Sequence, residues 1–330
     1  MNNSSFAELK SIIESKKKVL VVSHYNPDGD AIGSSFAFAN FLNLFGIEAH
    51  VYNLDKVPNY LDFLKTLNFH NSIKTIPNDI DLYVIVDFND LERSGNEMMN
   101  YLERKIKEKK PLILIDHHEN NKVNYGHRFI DTSASSTGVL IYKLLAEFDQ
   151  EINSEISTAL LTTIITDTSS YKNSNVNTDS FYISAELIKS KADIGLINRN
   201  IYKLGNINAL QLRNKIHGTL HFIEEHKLAI CYSLNDFYNQ TRTTKEDSEG
   251  IANGLIFYNN VEVGVFIREI KENSWKVSMR TNNYINLSKF AQVFGGGGHK
   301  NASGFTYTGK LENLIEKLIE NMKNESDNCS

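Results

Sequence analysis

A polar hinge follows an apolar, β-branched run near the start of the chain, in the segment VLVVSHYNPDGDAIGSS. The hinge carries one imidazole, His24, and two carboxylates, Asp28 and Asp30. A strand followed by a helix would place these side chains at the C-terminal end of the strand, where open α/β sheets bind ligands. One imidazole with two carboxylates suits Mn²⁺, Mg²⁺ or Fe²⁺ better than a thiolate-type zinc site. The alternative is a helix cap at Asp28 with His24 packed in the core.

The same residue types follow three later elements of the first half. They are Asp87 after IDLYVIVDF, then Asp116, His117 and His118 after PLILI, and Asp167 at the end of an apolar helix. Two divalent ions about 3.5–4 Å apart need a shared carboxylate and several flanking oxygen and nitrogen ligands. This set supplies them, so the sequence predicts a two-metal centre in which water is the nucleophile and no Cys, Lys or Ser is needed.

The elements that must position these residues alternate between strand and helix. Period and connection lengths are typical of a parallel sheet. The predicted strands begin at Val19 and then cover Glu48 to Asn53, Ile80 to Phe88 and Pro111 to Ile115. The predicted helices cover Ala31 to Phe45, Leu91 to Lys109, Asp131 to Phe148 and Ile156 to Ile165.

The second half changes character and predicts a smaller α/β domain with a mixed sheet. Its predicted strands are Lys227 to Leu234, Val261 to Glu269 and Trp275 to Thr281, and its predicted helices are Ser248 to Phe257, Asn286 to Phe294 and Leu311 to Met322. We therefore expect a catalytic domain over 1–190, a linker over 191–210 marked by Gly195 and Gly205, and a substrate-binding domain over 211–330, with a cleft between the domains.

Bulk properties narrow the class of protein. A length of 330 residues suggests two domains, and the net charge of −5 argues against a broad nucleic-acid-coating surface. The two cysteines, Cys231 and Cys329, indicate neither a disulfide framework nor a cysteine zinc site. The sequence shows neither a signal peptide nor a membrane-length apolar run, which predicts a cytoplasmic protein without membrane partners.

Together these segments resemble the four motifs of the DHH phosphoesterase family. The matching segments are HYNPDGD from His24 to Asp30, Asp87 after its apolar strand, the triplet Asp116-His117-His118, and Thr166-Asp167-Thr168. Gly295 to His299, followed by Asn301-Ala302-Ser303-Gly304, resembles the GGGH-xx-ASG signature of the usual partner domain. Length, order and spacing are most similar to the NrnA-like branch of nano-RNases and pAp phosphatases.

The resemblance implies two divalent ions, Mn²⁺ in the first place and Mg²⁺ as an alternative. The implied ligands are His24 and Asp28 for one ion, Asp30, His117 and Asp167 for the other, and Asp87 as the bridge. It implies that Asp116 orients an imidazole from behind the ligands. It also implies that His118 faces the substrate phosphate or the leaving oxygen.

In the second domain the resemblance implies residues that grip the rest of the substrate. They are Arg280, Gly296, Gly297, Gly298, His299 and Ser303. The glycines would let an anion approach backbone N–H groups closely. Arg268 ends a strand in the same way as Arg280, and a solvated edge charge and a substrate contact are equally good interpretations of it.

The implied activity is hydrolysis of very short oligoribonucleotides such as pApA to nucleoside monophosphates, with dephosphorylation of pAp as a further activity. A cleft between the domains would fit about two to five nucleotides, whereas long strands need an open basic track. The alternative is a phosphodiesterase acting on linear or cyclic dinucleotides such as cyclic di-AMP.

Three further alternatives are less favoured. A RecJ-like exonuclease would need an additional nucleic-acid-binding module, and a pyrophosphatase would lack the glycine-rich signature. A catalytically inert nucleotide-binding regulator would be expected to have lost Asp30, Asp87 or His117, which are all present. The sequence leaves homodimer formation open.

Overall fold

The computed structural model describes residues 3–202, 206–282 and 285–326, and the chain divides into two compact units. Unit 1 is Met1–Lys203 and unit 2 is Leu204–Ser330. The boundary falls inside the stretch expected as a linker, of which Gly205 lies outside the described residues, as Cys329 does. Much of that stretch is helical, and Ile197 is buried in the core of unit 1.

Six parallel strands form the sheet of unit 1, in the order β3-β2-β1-β4-β5-β6. The strands are β1 (Lys18–Val22), β2 (Glu48–Tyr52), β3 (Phe69–His70), β4 (Leu82–Val86), β5 (Leu112–Asp116) and β6 (His127–Ile130). The order reverses between β1 and β4. In a doubly wound sheet that reversal opens a crevice beyond the C-terminal ends of the strands.

Helices cover both faces of this sheet. They are α1 (Phe6–Glu14), α2 (Gly29–Leu44), α3 (Asn96–Lys107), α4 (Thr137–Leu145), α5 (Ser154–Asp167), α6 (Thr178–Lys189) and α7 (Ile194–Ile201). Val19 and Val21 of β1 pack into the core on one face, and Leu20 and Val22 pack into the core on the other. Burial on both faces explains the uninterrupted apolar strands of the sequence and confirms the predicted parallel sheet.

Helices α2 and α5 pack unusually closely because glycines lie at their contact. A Cβ atom on Gly33 would lie 2.6 Å from Cγ2 of Thr163, and one on Gly29 would collide with Thr166. The two glycines are four residues apart and therefore share one face of α2. The contact brings the start of α2 next to the end of α5, where Asp167 lies.

Unit 2 has a mixed six-stranded sheet in the order β11-β12-β10-β9-β8-β7. Its strands are β7 (His221–Ile223), β8 (Leu228–Ser233), β9 (Val263–Lys271), β10 (Ser274–Thr281), β11 (Gly297–His299) and β12 (Ala302–Thr308). Its helices are α8 (Ile207–His217), α9 (Asn235–Thr241), α10 (Ile251–Leu255), α11 (Leu287–Val293) and α12 (Leu311–Ser326). Only β8 and β9 pair in parallel; the other described pairs are antiparallel. The predicted mixed α/β character is confirmed.

Each face of this second sheet has its own core. Val277 and Met279 pack with α11 and α12 on one face, whereas Cys231 and Phe266 pack with α8 and α10 on the other. Within the described part of the chain, no helix is long and apolar enough to cross a bilayer.

Two predicted helices are shorter than the sequence indicated. The helix expected from Leu91 to Lys109 is interrupted at Gly95, whose φ of +86° separates a 3₁₀ helix at Leu91–Ser94 from α3. The helix expected from Asp131 begins only at Thr137, because the Ser136 side chain caps it by accepting from the backbone N–H of Val139. The residues before Ser136 form a loop instead, and that loop proves central to the site.

Candidate metal centre

The acidic and imidazole side chains meet beyond the C-terminal ends of β1, β4 and β5. His24 follows β1, Asp87 follows β4 directly, and His117 follows β5 directly. Strands β1 and β4 are neighbours on either side of the reversal in strand order. The N-terminus of α2 brings Asp28 and Asp30, and the C-terminus of α5 brings Asp167.

A first set of ligand atoms surrounds Nε2 of His24. This nitrogen lies 3.4 Å from Oδ2 of Asp87 and 3.9 Å from Oδ1 of Asp28. His24 and Asp87 are buried, and Asp28 is exposed. The set is therefore open to solvent on the side of Asp28.

A second set surrounds Nε2 of His117. This nitrogen lies 3.7 Å from Oδ2 of Asp30, 3.7 Å from Oδ1 of Asp87 and 3.6 Å from Oδ2 of Asp167. Asp87 thus presents one carboxylate oxygen to each set. Its φ of +66° is a left-handed conformation that non-glycine residues rarely adopt, and it occurs where the chain leaves β4.

Backbone carbonyls fix the ring tautomers of both imidazoles. Nδ1 of His24 lies 2.8 Å from the carbonyl oxygen of Tyr25, and Nδ1 of His117 lies 3.1 Å from that of Ala134. A carbonyl can only accept, so Nδ1 carries the proton in each ring. Nε2 is then an unprotonated donor atom aimed at the carboxylates, as a metal-ligating histidine requires.

Hydrogen-bond donors from α4 and α2 hold the buried carboxylate of Asp30. The backbone N–H groups of Thr137 and Gly138 donate to it at 2.6 and 3.1 Å, and the hydroxyl of Ser34 donates at 3.0 Å. The hydroxyl of Thr137 donates to Oδ1 of Asp87 at 3.0 Å. The sequence analysis missed these supporting residues. The run of capping residues in DTSASST was the signal for Thr137.

Asn175 supports the second set from another loop. Its side-chain amide donates to the carbonyl oxygens of Ser135 at 3.0 Å and Asp167 at 3.2 Å. It thereby ties the end of α5 to the loop before α4. Nothing in the sequence pattern distinguishes this asparagine from its polar neighbours.

Asp116 lies behind the two sets and holds His118. Its Oδ1 accepts from Nδ1 of His118 at 2.8 Å, and the backbone N–H of His118 donates to the same oxygen at 3.2 Å. Asp116 is fully buried, whereas His118 is partly exposed. Because Nδ1 is committed to Asp116, only Nε2 of His118 is available to another group.

Burial and mutual repulsion raise the pKa values of the central carboxyl groups. Burial, followed by the charges of Asp30 and Asp28, raises the pKa of Asp87 well above its usual value. The same causes raise the pKa of Asp167 to about 8. Burial lowers the pKa of His24, which favours its neutral form. These carboxylates therefore need a nearby positive charge in order to ionise at neutral pH.

The ligand atoms are spaced as divalent ions require. Two atoms each about 2.1 Å from one ion lie at most about 4.2 Å apart. The separations of 3.4–3.9 Å around His24 and 3.6–3.7 Å around His117 meet that limit and exceed a hydrogen-bond length. Imidazole nitrogens with carboxylate oxygens and no sulfur suit Mn²⁺ or Mg²⁺. The residues fit divalent metal ions.

In unit 2 the sheet places Arg280 and His299 in one row. Both are register partners of Ala302 on β12, from β10 and β11 respectively. Their strands are two positions apart in the sheet, or about 10 Å. Arg280 is half-buried, and its Nη1 donates to the carbonyl oxygen of Met279 at 2.9 Å.

The other predicted substrate residues of unit 2 have different surroundings. Ser303 pairs with Met279 and so lies on the opposite face from Arg280, where it is 7% exposed. A Cβ on Gly296 or Gly298 would collide with β12, so packing alone requires these glycines. Gly297 faces open space and remains available to a ligand.

A doubly wound sheet with two adjoining ligand sets and a shared carboxylate is an arrangement that suits hydrolysis of phosphoryl groups with divalent ions. Comparison with known proteins agrees. Residues 18–166 match the DHH family, N-terminal domain, and residues 227–324 match the DHHA1 domain. The chain therefore contains a DHH domain and a DHHA1 domain, and it is a hydrolase acting on phosphoester bonds.

Several known proteins are similar to this chain over more than half of its length. The bifunctional oligoribonuclease and PAP phosphatase NrnA of Thermus thermophilus is 26% identical, covering 93% of this chain and 90% of that protein. A probable manganese-dependent inorganic pyrophosphatase of Bacillus cereus is 26% identical over 58% of this chain and 60% of its own length. The crystal structure of an exopolyphosphatase-related protein from Bacteroides fragilis has a TM-score of 0.85 at 25% identity, covering 97% and 95% of the two chains.

Proposed function

We propose that the protein hydrolyses very short oligoribonucleotides such as pApA to nucleoside monophosphates, and pAp to AMP, with two divalent ions, preferably Mn²⁺. The observation that carries the proposal is the position of Asp87. Its two carboxylate oxygens face two different histidines, 3.4 Å from Nε2 of His24 and 3.7 Å from Nε2 of His117. A carboxylate shared in this way is what a pair of ions needs.

His24, Asp28 and Asp87 would hold one ion, and Asp30, Asp87, His117 and Asp167 the other. Ions bound there would polarise the phosphoryl oxygens and activate water at neutral pH. The protein's own contribution is to fix both imidazoles with Nε2 unprotonated and to hold the carboxylates with donors from α4. The homologues named for manganese-dependent and NrnA activities support this choice of metal and substrate.

His118 acts on the substrate rather than on the ions in this proposal. Asp116 accepts its Nδ1 proton, so Nε2 can bind a phosphate oxygen or the leaving oxygen. The buried carboxylate also stabilises the protonated imidazole, which can then give its Nε2 proton to the departing oxygen. Arg280 of unit 2 holds a second phosphate, because its planar fork suits phosphate oxygens.

A product assay tests the proposal. Purified protein with Mn²⁺ is incubated separately with pApA, five-nucleotide RNA, pAp, cyclic di-AMP, pyrophosphate and long single-stranded DNA. We expect kcat/KM to be highest for pApA, with AMP as the product, and measurable for pAp. Equal or faster turnover of long DNA, or turnover of pyrophosphate or cyclic di-AMP above that of pApA, would contradict the substrate assignment.

A further inference from the structure

A cavity lies wholly within unit 2, on the face of its sheet that carries Arg280. Its volume is about 440 Å³, and β9, β10 and the segment leading into α10 line it. The charged residues among its lining are four cations, Lys245, Arg268, Lys276 and Arg280, against one carboxylate, Glu249. The cavity is therefore suited to an anionic ligand.

Strand register divides the three cations on the sheet, Arg268, Lys276 and Arg280, between two ends of the cavity. Lys276 on β10 pairs with Arg268 on β9, and Arg280 pairs with Gly264. Lys276 and Arg280 are four residues apart on one strand, so they share a face and their Cα atoms lie about 13 Å apart. One end thus carries two cations, Arg268 and Lys276, while the other end carries Arg280 opposite a residue without a side chain.

The strand residues between the two ends are uncharged. Ser278, half-buried, lies between Lys276 and Arg280 on β10, and Phe266 is its partner on β9. Ala252 of α10 adds a second apolar surface. A matching ligand has an anionic group at each end and a less polar middle that can form a hydrogen bond. A nucleoside with a phosphate on each side has this pattern.

We propose that Arg268 and Lys276 form a subsite for a second substrate phosphate, so that unit 2 binds one nucleoside flanked by two phosphates. This inference rests on the proposed function, because it assigns the cavity to the same oligonucleotide substrates. If the subsite exists, a terminal phosphate on the oligonucleotide increases its affinity for the protein. The arginine fork and the lysine ammonium converge on one anion, as phosphate recognition requires.

Equilibrium binding without hydrolysis tests the subsite. Metal-free full-length protein is titrated with ApA, pApA and ApAp, and the dissociation constants are compared. We expect a terminal phosphate to tighten binding about tenfold in the wild type. The two phosphorylated ligands distinguish a 5′ from a 3′ phosphate as the group that the subsite accepts.

Variants that lack the charges of Arg268 and Lys276 show whether these residues cause the tighter binding of phosphorylated ligands. Arg268→Gln with Lys276→Gln should abolish the preference for the phosphorylated ligand and reduce the dependence of log Kd on log salt by about 0.7. Arg268→Lys, which keeps the charge, should retain most of the preference. Lys271→Gln is the matched control, since Lys271 is an exposed cation on the same strand that does not line the cavity. Thermal melting checks that each variant is folded. If the double variant does not fold, the two single Gln variants are measured in its place.

Either of two results would overturn the subsite. The first is a wild-type protein that binds ApA as tightly as pApA and ApAp. The second is a folded double variant, or both single variants, with the wild-type preference intact. Failure of the proposed function has a separate signature, namely no turnover of any oligonucleotide with Mn²⁺, and the binding measurement does not depend on turnover.

Discussion

The hydroxyl of Thr137 donates a 3.0 Å hydrogen bond to Oδ1 of Asp87, the carboxylate that both ligand sets share. The backbone N–H of the same residue donates to Oδ2 of Asp30 at 2.6 Å. One residue at the start of α4 therefore restrains two carboxylates that repel each other. Its hydroxyl can be removed without disturbing its backbone.

Thr137→Val should weaken metal binding and lower activity about tenfold or more, because orienting partners of metal ligands typically contribute 10–100-fold. Valine keeps the shape of the fully buried side chain and removes only the donor. Mn²⁺ affinity measured by titration calorimetry is the readout. Thr162→Val is the matched control, since Thr162 is equally buried but donates to a helix carbonyl, that of Thr158. Equal affinities in the two variants would contradict the role of Thr137.

Asp87→Asn should reduce kcat by at least about a thousandfold, since the shared ligand supplies several kcal/mol of charge stabilisation. Asparagine is a more specific substitution than alanine, because it tolerates the left-handed backbone of Asp87 at φ +66° and so removes the charge with less strain. Steady-state kinetics at saturating Mn²⁺ measure the effect. Asp149→Asn, at an exposed position, is the control for a lost carboxylate. A metal-saturated Asp87→Asn enzyme with near wild-type kcat would show that Asp87 does not bridge two ions.

Asp116→Asn should lower kcat while leaving Mn²⁺ affinity close to that of the wild type. The neutral amide no longer stabilises a protonated His118, whose Nδ1 lies 2.8 Å from the carboxylate. His118 must be protonated to donate to the leaving oxygen, so the basic limb of the pH–rate profile should change, which a merely structural role would not cause. A large loss of metal affinity would instead place Asp116 among the groups that hold the ions.

Metal-free protein should lose stability as the pH rises from about 4 towards 8. The pKa of Asp167 is about 8 in the fold, above its ordinary value of 3.8, so the folded state keeps this proton over a range where the unfolded state has lost it. Thermal unfolding against pH, with metal removed by a chelator, measures the trend. Asp167→Asn should flatten it. Mn²⁺ binding at pH 7 should release protons, and fewer in this variant.

The parallel sheet was predictable because its strands are buried on both faces and therefore read as uninterrupted apolar runs, as in β4 and β5. The predicted ligands Asp30, Asp87, His117 and Asp167 lie close together. Asp87 and His117 follow the ends of strands β4 and β5, and Asp30 lies at the start of α2, close to the end of β1. Strand ends of a parallel sheet meet at one edge, so sequence order sufficed to group Asp30, Asp87 and His117, whereas Asp167 comes from the end of helix α5.

The support around the ligands was not predictable in the same way. Thr137 and Asn175 act through hydrogen bonds to residues far away in the sequence, and Ser34 bonds Asp30 within α2. The side chains of Ser and Thr serve equally well as helix caps. Strand β12 was missed because it begins inside the glycine-rich motif, where Ala302 and Gly304 have little strand propensity, although Phe305, Thr306, Tyr307 and Thr308 favour a strand. Its pairing with β10 nonetheless decides which face Arg280 and Ser303 occupy.

The close contact of α2 with α5 also makes the site depend on nearly the whole length of unit 1. His24 and Asp167 are separated by most of unit 1 along the chain, and Gly29 and Gly33 can dock only once α5 exists. A nascent or truncated chain that ends before α5 lacks both Asp167 and the surface on which α2 rests. The ligand set around His117 is therefore incomplete in any chain that ends before α5.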